Sequence, residues 1–303
     1  MSPATLGRIG FIGAGRLGQT LAVAVAQSGA PVAAVGSRSA ASAQSLAHRV
    51  SQVAAMAPVV CTRAQAVVDE CDTVFITVND DQIVAVAQGL AWRAGQAVVH
   101  CSGATELGAL MHAQAACAHP GGFHPLHTFG DVDTALAGLP GCAVAVEAAD
   151  EGLRDTLMNL ARRLHLQPFE LPPGSRALYH ASAHYAGSLV VTLMDEAVRH
   201  WGRFGVAPEQ ALAALLPLLR STVRAMESRG LGPGMAGVVA RGDRGILARH
   251  LQAFDAVGAP ERQLYADLSL RSMRLALDSG RINEEQARMM QALLLNPPPS
   301  TLA

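Results

Sequence analysis

The chain contains no lysine: all 23 of its basic residues are arginine. This absence excludes a Schiff-base mechanism, a phosphate-binding P-loop and any lysine general acid or base. Alanine richness points to a compositional bias as the cause, but the chemical consequence is the same. Acidic residues are missing from the beginning, since no aspartate or glutamate precedes Asp69. Aromatic residues make up only 4% while half the chain is apolar, so the core must be aliphatic. Charged residues reach only 16%, low enough to expect part of the surface to be buried in an oligomer. A net charge of −1 argues against nucleic acid or an anionic membrane as partner. No apolar run is long enough to span a bilayer. The most apolar window, Leu21 to Val35, is interrupted by Gln27, Ser28, Gly29 and Pro31. No secretory pattern precedes the first strand signal. Cys61, Cys71, Cys101, Cys117 and Cys142 are odd in number and lack CxxC spacing. They read as small core residues of a reducing compartment, and the expected location is cytoplasmic.

Within the acid-free stretch lies a glycine-rich fingerprint, Gly13-Ala14-Gly15-Arg16-Leu17-Gly18. It follows a short apolar strand, Arg8 to Ile12, and opens a helix to about Gln27, the context in which GxGxxG carries meaning. Gly13 permits the tight turn, Gly15 the approach of a pyrophosphate, and Gly18 the packing of helix on strand. The pyrophosphate contacts expected are Gly13, Ala14, Gly15, Arg16 and Leu17. A second strand, Val32 to Val35, runs into Gly36-Ser37-Arg38-Ser39. An NAD site would carry an acid near this point for the ribose 2′-hydroxyl. Ser37 and Arg38 instead offer a hydroxyl and a guanidinium to a 2′-phosphate, so NADP(H) is expected over NAD(H).

Short β-branched runs recur at 58–61, 73–78, 97–101, 141–146 and 167–170, with helical stretches between them such as 81–92 and 150–165. This alternation predicts an α/β fold, a Rossmann-type doubly wound parallel sheet, over residues 1–171. Pro172-Pro173-Gly174 is a break, and the periodicity changes behind it. From Arg176 to Phe204 apolar residues recur at 178, 182, 185, 189, 193, 197 and 201, the spacing of one long helix. Gly205 ends it and Pro208 starts the next helix, to about Arg229. Pro260 opens another, and Asn283 with Gln286 caps the last. Residues 175–303 therefore read as an all-helical second domain, with a frayed tail from Pro297.

Strand ends in a doubly wound sheet deliver residues to the cofactor cleft. Thr77 to Asp81, His100 to Ala104 and Gly121 to Phe129 are three such segments. Asn79, Asp80 and Ser102 are expected along the ribose and nicotinamide, although the aspartates suit helix capping and Ser102-Gly103 an ordinary turn. His124 and His127 stand close together, and His180 and His184 lie one turn apart on the long helix. No acid or cysteine is interleaved with the first pair, so no metal site is expected. These four are the proton-transfer candidates for neutral pH, and a packing role is the competing reading for each. His180, near the start of the long helix, is the first choice of general acid. Arg241 is a candidate for a substrate carboxylate, against the plainer reading that Arg241 and Asp243 pair or cap a helix.

The fingerprint, His-Cys-Ser-Gly-Ala at 100–104, Phe-His-Pro-Leu-His-Thr-Phe at 123–129, the 178–188 segment and Ala-Arg-Gly-Asp at 240–243 together give a resemblance. The chain resembles a bacterial family that joins a Rossmann-like domain to a helical domain of unknown function, its members described as NADP-dependent oxidoreductases. The layout is similar to those of pyrroline-5-carboxylate reductases, β-hydroxyacid dehydrogenases and ketopantoate reductases. β-Hydroxyacid dehydrogenases place a lysine, and four residues later an asparagine, on the first long helix of the second domain. His184 and Ser188 would stand there, so that mechanism does not carry over unchanged. An imine substrate is as admissible as a carbonyl. The resemblance implies an NADP(H)-dependent reductase of a small molecule bound between the sheet and the first long helix, and a homodimer formed through the helical domain. The alternative is a non-catalytic NADP(H) sensor, since fold alone does not set function.

Overall fold

The computed structural model describes residues 6–295, and the chain divides into two compact units between Val191 and Thr192. Strand β1 (Ile9–Ile12) leads into α1 (Arg16–Gln27), β2 (Val32–Gly36), α2 (Ala40–Ser51), β3 (Val59–Cys61) and α3 (Ala64–Glu70). β4 (Thr73–Ile76) is followed by a 3-10 turn at Asp80–Gln82, α4 (Ile83–Gln88) and β5 (Ala97–His100). After α5 (Met111–Ala115) come β6 (His119–Pro125), α6 (Val132–Gly138), β7 (Ala143–Ala148), α7 (Glu151–Arg163) and β8 (Gln167–Glu170).

These strands form one sheet in the order β3-β2-β1-β4-β5-β6-β7-β8. The order reverses between β1 and β4, the switch point at which ligands bind beyond the carboxyl ends of such sheets. This is the Rossmann-type arrangement expected, with corrections in detail. The sheet is mostly parallel, because β6 and β7 pair antiparallel. The sequence pattern assigns no strand to 119–125, since two prolines and two glycines are poor strand formers. The structure needs those glycines. Leu153 and Leu157 of α7 crowd Gly121, and a Cβ at Gly122 would collide with the guanidinium of Arg176. The helix expected over 81–92 is shorter, a 3-10 turn and then α4. Val59 and Val60, expected to be buried, are largely exposed because β3 is an edge strand.

Phe11 and Phe75 stack in the sheet at 5.2 Å between centroids, and Phe123 meets Phe75 edge-on at 6.0 Å. Around them the core is aliphatic, with Leu21, Val25, Leu46, Val99, Val144 and Leu157 fully enclosed or nearly so. All five cysteines are free. Cys61, Cys71 and Cys101 are buried as expected, whereas Cys117 is exposed and Cys142 half-buried.

The helix expected over 176–204 is two helices, α8 (Arg176–Ala186) and α9 (Ser188–Gly202). Gly187 separates them with φ −100° and ψ −108°, a conformation outside the helical region that glycine adopts readily. α8 belongs to the first compact unit. The second unit continues with α10 (Pro208–Arg229), α11 (Leu231–Gly234), α12 (Arg244–Asp255), α13 (Ala259–Asp278) and α14 (Glu284–Leu295). Its ends follow the sequence. Pro208 occupies the first turn of α10, and Asn283 and Gln286 exchange side-chain and backbone hydrogen bonds at 3.0 and 2.9 Å. Asp243 caps α12, accepting from the Ile246 amide at 3.0 Å. Leu247, Leu251, Met273, Met290 and Leu294 of α12–α14 make the core of this unit. By contrast, α9 has no buried residue and α10 only Ala211. Among the described residues no helix is long and apolar enough to cross a membrane. The tail from Pro297 lies outside the described residues.

Candidate functional site

Two cavities open beyond the carboxyl ends of strands in the sheet, on either side of β5. The first, of about 340 Å³, sits over β1, β2 and β4, in the usual size range for small-ligand sites. β1 ends at Ile12 and the chain reverses at Gly13, whose φ of +114° disfavours any other residue. The Gly13 amide donates to the Gly36 carbonyl at 2.8 Å, and Thr77 Oγ1 donates to the Gly13 carbonyl at 2.8 Å. A Cβ at Gly13 would lie 2.6 Å from the Thr77 carbonyl oxygen, and one at Gly18 would collide with the Gly13 carbonyl. At Gly15 nothing stands within 4 Å of an added Cβ, leaving the backbone open to a ligand. Gly15 caps α1 without a side chain and no acid occupies its first turn, so its free amides and the helix dipole face the cavity with positive potential.

Of the cofactor contacts expected, Gly13, Ala14, Gly15, Ser37, Arg38 and Asn79 line this cavity. Arg16, Leu17, Asp80 and Ser102 do not. Arg16 and Asp80 are exposed to solvent beside it. Ser102 is buried in a turn, where its Oγ accepts from the Ala104 and Thr105 amides and donates to Thr105 Oγ1 at 2.8 Å. Thr77, in the strand-end segment singled out from the sequence, also lines the cavity, as do Thr62 and Gln82, which no sequence motif singles out. No carboxylate is in the lining.

The second cavity, of about 420 Å³, lies between the end of β6 and α8. His124, His127, His180 and His184 all line it, with Leu126, Thr128, Ala183 and Ser188. The register of β5 and β6 carries His124 beyond the end of β5, while the four-residue spacing puts His180 and His184 on one face of α8. The rings of His124 and His180 meet edge-on at 5.7 Å over Gly103. A Cβ there would fall 2.9 Å from His124 Nε2 and collide with His180 Nδ1. Each of three histidines has a distinct partner. His124 Nδ1 is 2.8 Å from Tyr179 Oη, His127 Nδ1 is 3.3 Å from Cys142 Sγ, and His184 Nδ1 is 2.7 Å from Ser188 Oγ. Burial first, and then the nearby His180 and Arg176, lower the His124 pKa to about 4, so this imidazole is neutral at pH 7. Burial raises the Tyr179 pKa, keeping its hydroxyl protonated.

Beneath this cavity is a buried ion pair that the sequence does not advertise. Arg176, the first residue of α8, is fully enclosed, and its Nε donates to Glu147 Oε2 of β7 at 2.7 Å. Nη1 donates to the Ser102 carbonyl at 2.7 Å, and Glu106 accepts from the Arg176 amide at 3.1 Å. Arg176 Nη2 and both ring nitrogens of His100 have no protein partner. Burial, then the Arg176 charge, holds His100 at a pKa of about 3, hence neutral. Glu147 is a lone acid in an apolar strand, the only local hint of the pair, and its partner lies too far along the chain for spacing to reveal. Among the described residues no group of three or more His, Cys, Asp or Glu is placed to hold a metal.

Residues 8–103 match the family of coenzyme F420-dependent NADP oxidoreductases, and residues 142–272 match a domain of unknown function, DUF2520. No curated protein sequence matches the chain. Among solved structures, a Thermotoga maritima protein superposes with a TM-score of 0.70 at 20% identity, covering 90% of this chain and 100% of that one. A reductive aminase from Aspergillus terreus, in complex with NADPH and ethyl-5-oxohexanoate, gives 0.59 at 15% identity, covering 96% and 93%. A Plasmodium falciparum pyrroline carboxylate reductase with NADP bound gives 0.57 at 12% identity, covering 96% and 99%. At these identities the likeness is one of fold.

Proposed function

From a chain that joins an NADP-oxidoreductase-type domain to a DUF2520 region, we propose an NADP(H)-dependent oxidoreductase that reduces a small carbonyl or imine. One observation carries the reading: an acid-free dinucleotide cavity and a four-histidine cavity open past the carboxyl ends of strands of one sheet, on either side of β5. In the first, the α1 amides receive the pyrophosphate, and Ser37 and Arg38 receive the 2′-phosphate. The nicotinamide supplies hydride when bound. The chain's own residues orient the substrate between the sheet edge and α8 and provide the proton that completes the reduction. The structural neighbours solved with NADPH or NADP, which act on imines and carbonyls by their names and ligands, support this substrate class. An NADPH-oxidation screen over small aldehydes, keto acids and cyclic imines tests the reading. Tight NADPH binding with no turnover across the screen would favour a sensor instead.

Cofactor choice rests on Arg38. Arg38→Ala raises the NADPH dissociation constant about tenfold or more and leaves NADH nearly unchanged, because charge-assisted phosphate hydrogen bonds contribute roughly 1.5–3 kcal/mol. Fluorescence titration with both cofactors checks this, and equal losses for the two would remove the 2′-phosphate assignment.

The helical half also favours a homodimer. Leu193, Phe204, Leu212, Leu218, Val223 and Leu231 are exposed on α9 to α11. Helices as apolar and unburied as α9 and α10 gain little stability alone, since most helical stability comes from packing an apolar face. Covering them with a second copy would bury an obligate-type interface of more than roughly 2,000 Å². Light scattering at micromolar concentration should give twice the chain mass, and a monomeric mass would contradict the dimer.

A further inference from the structure

We propose that Tyr179 fixes the tautomer of His124, so that His124 faces the four-histidine cavity as a neutral Nε2–H donor that polarises the substrate's carbonyl or imine. This rests on the reading of the cavity as a substrate site and assigns its histidines different tasks. His124 holds its proton throughout and offers a hydrogen bond, while a different histidine delivers the proton.

The geometry points to this division. Tyr179 Oη lies 2.8 Å from His124 Nδ1, a hydrogen bond between β6 and α8. Phe169 and the His124 ring pack edge-on against Tyr179, so its half-buried hydroxyl has that ring nitrogen as its one protein partner among the described residues. A phenol that keeps its proton is able to donate it, and the lone pair of Nδ1 is the acceptor within reach, which is the direction the proposal assigns. With Nδ1 accepting, the neutral ring carries its hydrogen on Nε2. That edge lies over Gly103 beside His180, and only the missing side chain at Gly103 leaves space for it. The titratable and charged groups around His124 are Tyr179, His180 and Arg176 from α8 and His100 from β5, with Glu147 of β7 bound to Arg176. Burial first, then the neighbouring His180 and Arg176, hold His124 neutral down to about pH 4. A neutral imidazole polarises a carbonyl without the desolvation cost of a buried imidazolium. Tyr179 is thus a positioning residue: it acts on substrate only through His124.

Long-range proton–nitrogen NMR of the 15N-labelled full chain tests this without any substrate. The His124 signals among the 11 histidines are identified by their loss in His124→Gln. We expect an unprotonated Nδ1 and a protonated Nε2, unchanged from pH 8 to pH 5. Tyr179→Phe should convert this pattern to a tautomer mixture while the remaining histidine signals report an intact fold. A protonated Nδ1 in the parent chain, titration of His124 between pH 8 and 5, or an unchanged pattern in Tyr179→Phe would each overturn the proposal. Once a substrate is found, Tyr179→Phe should lower kcat/KM about tenfold with NADPH affinity retained. If the spectra behave as expected and no substrate turns over, the oxidoreductase reading fails and the tautomer assignment stands.

Discussion

His180→Ala lowers turnover by roughly a hundredfold or more while NADPH binding is retained, the result expected when a general acid is lost. Four histidines line the cavity, and their surroundings separate them. His124 is neutral at physiological pH and has no proton to spare. His184 is engaged with Ser188 at the start of α9, and His127 with Cys142. The ring of His180 sits over Gly103, near the strand end that approaches the cofactor cavity, and makes no side-chain hydrogen bond among the described residues. Of the four, it is the histidine with neither ring nitrogen hydrogen-bonded to the protein among the described residues. Steady-state kinetics on His180→Ala, His184→Ala and His127→Ala decide the matter. If turnover survives the first change and collapses with either of the others, proton delivery belongs to that residue. Full activity in all three rules out a histidine general acid.

Glu147→Ala destabilises the protein by about 3–5 kcal/mol, the typical effect of removing one partner from a buried ion pair. Arg176 is fully enclosed and the Glu147 side chain only 6% exposed, so deletion of the carboxylate leaves an uncompensated cation in the sheet. In thermal melts the loss corresponds to a drop on the order of ten degrees. The double change Glu147→Leu with Arg176→Met should recover most of that stability, since apolar residues of similar volume replace buried pairs well. It should not recover activity. Arg176 holds the start of α8 to the Ser102 carbonyl, and α8 carries His180 and His184. Urea melts of the three proteins provide the check. A single variant within about 1 kcal/mol of the parent would show that water reaches the pair in solution.

The α/β half, its switch point and the dinucleotide cavity are legible in the chain because their signals are local. A GxGxxG between strand and helix, an acid-free second strand end and short β-branched runs all act over a few residues. The ends of the later helices were legible for the same reason: Pro208, Asn283 and Asp243 each act within one turn. Strand β6 was hidden, because its glycines and prolines oppose strand propensity and are explained only by Leu153, Leu157 and Arg176 pressing on them. The apolar stripe from 178 to 201 correctly signals helix, yet Leu178 and Tyr185 are 78% and 70% exposed. Periodicity tells which residues share a face and says nothing of what covers it. The four histidines were visible as residue types, but their different chemistry was not. A pKa near 4 for His124 arises from burial and from charges more than fifty residues away, and only the tertiary structure brings these together. The same holds for Glu147 and Arg176. Sequence alone determined the alternation of strands and helices in the first half, the glycine-rich turn and the absence of lysine chemistry. Folding decided which polar side chains lose water, and desolvation is the largest cause of the lowered His124 pKa.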